Sequence, residues 1–172
     1  MNIRRNLGLT LIETVIGICI LGLLVVGALP NFSVFMQNTR TRNTAESILN
    51  GMQLARGEAI RRNSNVQFVL NGSTWAVSVA RSGQQIQSRP AGESIASTQV
   101  TVTPLGASTL TFNSLGRVVL NADGSAAISQ IDVDSTSIAP PDSRPMRTTV
   151  GIGGNIRMCD PQVGSTDPRA CS

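Results

Sequence analysis

From Thr14 to Leu29 the chain reads TVIGICILGLLVVGAL, and no charged residue occurs from Thr14 through Thr39. A bilayer core is crossed by roughly 20 mostly apolar residues in a helix. Leu7 to Leu29 reaches that length with Glu13 included. The alternative, a helix buried in a protein core, is amphipathic, whereas this run is apolar on every face. It therefore reads as a membrane span at 9–29. A basic head, MNIRRNLG, precedes it as in a secretory signal, but no A-x-A-like site follows the run, and ALPNF is a poor substitute. Glu13 costs a few kcal/mol in hydrocarbon and so reads as functional. Near a helix N-terminus, the macrodipole and the unsatisfied N–H groups offset part of that cost.

Pro30 removes one backbone hydrogen bond and predicts a kink in a helix that continues through it. Beyond it Ala45, Ile48, Leu49, Met52, Ala55 and Ala59 recur at three- and four-residue steps, an apolar stripe that must pack on something. Arg42/Glu46 and Glu58/Arg62 are i,i+4 pairs on the other faces. One helix from Thr10 to Arg62 is predicted, roughly 53 residues and about 80 Å long, amphipathic over 30–63 and ended by Asn63-Ser64-Asn65.

After Asn65 the period changes to two. Val66–Leu70, Asn71-Gly72 and Thr74–Ala80 read as a hairpin on an Asn-Gly turn. Further strands are predicted at Gln99–Thr103, Thr109–Asn113, Arg117–Asn121, Ala126–Val133, Arg147–Ile152 and Asn155–Cys159, with a surface loop at Arg81–Ser97. The helix stripe and one face of an antiparallel sheet can bury each other, which makes 64–172 an α+β head. Trp75, the sole tryptophan, reads as a half-buried sheet residue rather than a binding platform.

The chemistry available to this head is narrow. All 14 basic residues are Arg, and the chain has no His, Lys or Tyr. That excludes an imidazole base, a Ser-His-Asp triad, a P-loop lysine and a Schiff base. Asp132 and Asp134 form the one tight carboxylate pair, and at i,i+2 on a strand they point the same way and read as a solvated strand end. An enzyme is the weak reading, and no cofactor or metal site is implied. The net charge of +4 lies outside the head, where seven Arg balance seven acids in 64–172. The pI near 10.2 is thus no argument for nucleic acid by itself.

Cys19 sits in the apolar run as a small hydrophobe. Cys159 and Cys171 enclose a turn-rich loop that is expected to close as a disulfide in an oxidising compartment. On the chain-entropy estimate such a closure stabilises by about 3 kcal/mol.

The string Gly8-Leu9-Thr10-Leu11-Ile12-Glu13 resembles the cleavage and methylation site of type IV pilins and type II secretion pseudopilins, commonly G-F-T-L-I-E. The resemblance implies an α+β pilin-like lollipop and a leader at 1–8, cut by a prepilin peptidase between Gly8 and Leu9. Leu9 becomes the methylated N-terminus. Glu13 becomes the fifth mature residue, meeting the terminal amine of a neighbouring subunit during assembly. Leu9 departs from the usual Phe.

Gly154-Asn155-Ile156-Arg157-Met158-Cys159-Asp160-Pro161, with Asp167 to Cys171, looks like the end of minor pilins of the FimT/GspH family, and Thr109 to Arg117 resembles its central strand-turn-strand. The implied function is a minor pilin in a type IV pilus or its initiating complex. Its partners are other pilin subunits, the peptidase and the inner membrane, with the head in the periplasm before assembly. A minor pseudopilin of a type II secretion system is the alternative, and an uncleaved single-pass anchor is the plainest one. Some FimT-type members bind DNA through G-R-x-R-x-C; here Asn155 replaces the first Arg and Arg157 alone matches. Beyond the motif, the last 30 residues hold Arg144, Arg147, Arg157 and Arg169 against Asp160 and Asp167, a local +2 that makes these four the candidate DNA contacts, without aromatics to stack single-stranded bases.

Overall fold

The computed structural model describes residues 10–90 and 97–171, without side chains at 27–31. The chain divides into two compact units between Phe35 and Met36. The sequence-predicted helix is present as α1 (Leu11–Arg62), running through Pro30 rather than ending there. From residue 11 to 26 its apolar side chains stand exposed around the helix, among them Leu11 at 83% and Leu23 at 76%. Among the described residues no helix is long and apolar enough to cross a membrane.

The helix stops for a local reason. Asn63 takes the left-handed conformation (φ 48°), and Ser64 N–H and Asn63 N–H donate to the carbonyls of Ala59 and Ile60 at 3.2 and 3.3 Å. This is the two-bond Schellman closure, in which Asn tolerates the positive φ.

Among the described residues of the second unit nine strands follow: β1 (Val66–Asn71), β2 (Thr74–Val79), β3 (Gln85–Arg89), β4 (Thr98–Thr103), β5 (Thr109–Phe112), β6 (Val118–Val119), β7 (Gln130–Ser135), β8 (Met146–Val150) and β9 (Ile156–Cys159). They build two antiparallel sheets rather than the one predicted, ordered β3-β2-β1-β5-β6 and β4-β7-β8-β9. Ile128 and Ser129 join them: Ile128 N–H bonds Thr109 O of β5 at 3.1 Å, while Ser129 N–H bonds Thr103 O of β4 at 2.9 Å and its carbonyl accepts Val150 N–H of β8 at 2.8 Å. Residues 126–129 are thus a crossing segment, and β7 starts later than the expected Ala126.

Two other expectations are corrected. The β1–β2 turn is Gly72-Ser73, because Asn71 still pairs with Thr74. Gly72 (φ +59°) occupies the first central position, the type II′ pattern, in place of the expected Asn-Gly turn. The segment Arg81–Ser97 is not all loop, since β3 pairs with β2 inside it.

The helix stripe Ala45, Ile48, Met52, Ala55 and Ala59 is fully buried, while Leu49 is only half-buried. It packs in one core with Phe68 of β1, Val77 of β2, Phe112 of β5 and Ile131 of β7. Each large side chain so buried contributes about 1.5–3 kcal/mol. Trp75 is buried rather than half-buried, with its indole N–H donating to Ser47 Oγ at 3.0 Å and its ring centroid 6.1 Å from that of Phe68. A Cβ on Gly51 would lie 2.8 Å from the Trp75 ring, so only glycine lets the ring lie this close to α1.

Candidate functional site

At the start of α1, Thr10 Oγ1 accepts the backbone N–H of Glu13 at 3.3 Å, and Thr14 Oγ1 donates to Thr10 O at 3.2 Å. Thr10 is therefore the N-cap. Glu13, in the first turn, occupies the position at which a carboxylate completes a capping box and meets the positive end of the macrodipole. The expected cleavage residues Gly8 and Leu9 lie outside the described residues, and so does the side chain of Pro30.

The second candidate site is the outward face of the β4-β7-β8-β9 sheet. On β8, buried Thr148 alternates with Arg147 and Thr149, and Thr149 stands opposite Arg157 on β9. Side chains two apart share a face, so Arg147 and Arg157 point the same way. Asp132 stands opposite Arg147 and binds it, with Oδ1 2.6 Å from Nε and Oδ2 3.4 Å from Nη2. Asp134, two residues on, accepts the Ser135 N–H at 2.7 Å and the Ser143 hydroxyl. The carboxylate pair does share a face, as expected from its spacing, but it is engaged rather than simply solvated. Asp132 and Asp134 balance Arg147 and Arg157, so this face is electrically neutral.

The four arginines are held in different settings. Arg144 is exposed in the β7–β8 loop, where Asn38 of α1 clips the backbone: Asn38 Oδ1 accepts Arg144 N–H at 3.0 Å and Asn38 Nδ2 donates to Asp142 O at 2.9 Å. Arg157 Nη2 donates to Ala170 O at 3.1 Å, tying β9 to the tail. Arg169 bonds Asp167 through Nη2 at 2.8 Å and Nε at 3.1 Å. The Arg169 guanidinium, then its backbone N–H, holds the Asp167 carboxyl down at about 2.

Cys159 and Cys171 form the expected disulfide, and Asp160 bridges to Ala170 beside it. A groove of about 230 Å³ runs between this tail and α1, floored by Met146, Met158 and Cys159 and flanked by Arg42 and Arg169. Both guanidinium groups are already engaged, Arg42 with Glu46 at 2.8 Å and Arg169 with Asp167. Among the described residues no cluster of three or more Cys, Asp or Glu could hold a metal ion.

Sequence reasoning missed the cap, although Thr-x-x-Glu at 10–13 is its written signature. It also missed Asp132 as the partner of Arg147, because the charge count for the tail stopped short of β7. Asn155, the departure from the arginine motif, sits in the β8–β9 turn, where its carbonyl accepts Gly151 N–H at 2.9 Å.

A family model described as Type II transport protein GspH matches residues 44–165. Among solved structures, crystals of the type IV minor pilin FimU of Pseudomonas aeruginosa strain PAO1 are similar at TM-score 0.55 and 16% identity, over 74% of this chain and 97% of that one. The minor pseudopilin EpsH from the type 2 secretion system of Vibrio cholerae is similar at TM-score 0.49 and 15% identity, over 72% and 99%. At 16% identity the likeness to FimU is one of fold. No curated protein matches.

Proposed function

Because the chain belongs to the GspH family, whose members are structural pilin and pseudopilin subunits, we propose that it is a minor pilin of a type IV pilus. In this reading a prepilin peptidase cuts between Gly8 and Leu9 and Leu9 is methylated. Residues 9–29 then hold the chain in the inner membrane until it joins the filament or its initiating complex. The observation that carries the reading is the first unit of α1. Over the described residues 11–26 it is an apolar helix whose side chains all stand exposed, capped by Thr10, with its one carboxylate, Glu13, in the first turn. Such a surface is stable in a bilayer and, on leaving it, against the helices of neighbouring subunits. A positively charged amine is the partner that a first-turn carboxylate in apolar surroundings calls for.

A minor pseudopilin of a type II secretion system is the second reading, favoured by the description of the matching family. DNA capture through Arg144, Arg147, Arg157 and Arg169 is the lesser reading, because Asp132 and Asp167 already bind two of the four. The assembly reading is tested by blotting sheared surface filaments from cells making the wild type or Glu13→Ala. Filaments should contain the wild type and little of the variant, while both melt alike. Equal incorporation of the variant would sink the role of Glu13. Wild-type chain that stays in the envelope, with secretion lost on its deletion, would favour the pseudopilus.

A further inference from the structure

Four methionines fall among the described residues, and their surroundings differ. Met52 is fully buried in the core, and Met36 stands on α1 at the boundary between the two units. Met146 and Met158 are half-buried and share one place. Thr148 of β8 stands opposite Met158 of β9, and Met146 lies two residues from Thr148, so both methionines sit on the core face of the sheet as diagonal neighbours. Both pack at the margin of the core, and both line the groove of about 230 Å³ beneath the C-terminal tail. That volume has room for several water-sized molecules, so a small oxidant has access to both side chains.

The tail crosses this groove on few ties. Pro168 and Arg169 also line it, Asp160 N–H donates to Arg169 O at 2.8 Å, and the Cys159–Cys171 disulfide tethers the end. The rim is rich in donors. A guanidinium group carries five N–H donors. Arg42 uses Nε for Glu46, and Arg169 uses Nε and Nη2 for Asp167, which leaves further N–H groups on both.

We propose that Met146 and Met158 form an oxidation site: a peroxide converts them to sulfoxides, and the modified side chains move from the core margin into the groove and lift the tail. In the chemical step the thioether sulfur attacks one oxygen of the peroxide. The S–O bond forms as the O–O bond breaks, the sulfur loses two electrons, and the departing hydroxide takes the proton of the transferred oxygen and leaves as water. A sulfoxide is polar and accepts hydrogen bonds, so it is costly against the apolar margin and is satisfied at the rim by Arg42 and Arg169. The space it then fills lies under Pro168 and Arg169, where the bond from Asp160 holds the tail down. The disulfide keeps the tail attached, so the change stays local. This inference stands on the groove alone and does not rest on the pilus reading.

The test treats the full chain in detergent micelles with graded hydrogen peroxide, maps added oxygen by peptide mass, and reads hydrogen exchange at the Asp160 amide. Met146 and Met158 should take up oxygen about tenfold faster than buried Met52, or more. Exchange at Asp160 should then quicken by about fivefold or more, while Trp75 fluorescence stays native. Met146→Leu with Met158→Leu, which conserves apolar volume, should keep the native fluorescence and leave Asp160 exchange unmoved by peroxide. Uptake at the two methionines no faster than at Met52, full uptake with Asp160 exchange unchanged, or loss of native Trp75 fluorescence on oxidation would each overturn the proposal, and these readouts need no variant. Quickening that persists in the leucine variant would assign the effect to Met36 and overturn it as well.

Discussion

Replacing Gly51 with alanine sets two effects of known size against each other. Alanine in a helix interior is better than glycine by about 0.8–1 kcal/mol. The new Cβ, however, would lie 2.8 Å from Trp75 Cδ2 and 2.9 Å from Phe68 Cε2. Neither ring can withdraw cheaply: Phe68 is fully buried, and Trp75 is buried and bonded to Ser47. Overpacking of this kind costs about 1–3 kcal/mol. With two rings displaced we take the upper half of that range, which leaves a net loss of about 1–2 kcal/mol. Gly57 on the same helix is the control, since nothing lies within 4 Å of a Cβ there. Gly57→Ala should therefore gain about 0.8–1 kcal/mol. Denaturant unfolding followed by the fluorescence of Trp75, the sole tryptophan, reads both variants. A Gly51→Ala protein as stable as the wild type, or more so, would refute the packing argument and leave propensity alone in control.

Reducing the Cys159–Cys171 disulfide, or replacing both residues by alanine, should cost about 3 kcal/mol of stability, read as a lower unfolding midpoint. Hydrogen bonds from Arg61 and then Arg62 hold the Glu58 carboxyl at about 2, below its ordinary 4.5. A depressed pKa means the contribution is present above 4.5 and is lost as the pH falls toward 2. Glu58→Gln should accordingly lower stability in the neutral range, flatten the profile across that acid window and leave the most acidic end nearly unchanged. Duplex DNA should bind the wild-type head only weakly. Asp132→Asn with Asp134→Asn, which leaves Arg147 and Arg157 unbalanced, should strengthen binding and steepen its salt dependence by about two counterions. Tight wild-type binding lost in Arg157→Ala would contradict the charge balance drawn above.

The helix was legible almost to the residue, from Thr10 to Asn63, because the apolar run, the 3.6-residue stripe and the Asn63-Ser64-Asn65 stop are local signals, although its N-cap was not recognised. Its stripe was read too short: Thr41 and Thr44 are also buried, and hydroxyl residues do not register as apolar. The hairpin was legible but its turn was placed one residue early, since an Asn-Gly dipeptide does not say which residue closes the ladder. Division into two sheets could not be read, because β1 finds β5 some forty residues away and nothing local encodes that pairing. β3 was hidden in the polar string QIQSR, whose residues are mostly exposed. The neutrality of the C-terminal face was equally hidden, since it depends on Asp132 meeting Arg147 across two strands.

The account rests on α1 beginning at a processed terminus, and intact mass analysis of the chain from its native cells addresses that most directly. A mature chain starting at methylated Leu9 is the predicted result. A chain that retains Met1 through Gly8 would contradict it and leave Glu13 without a terminal amine to meet.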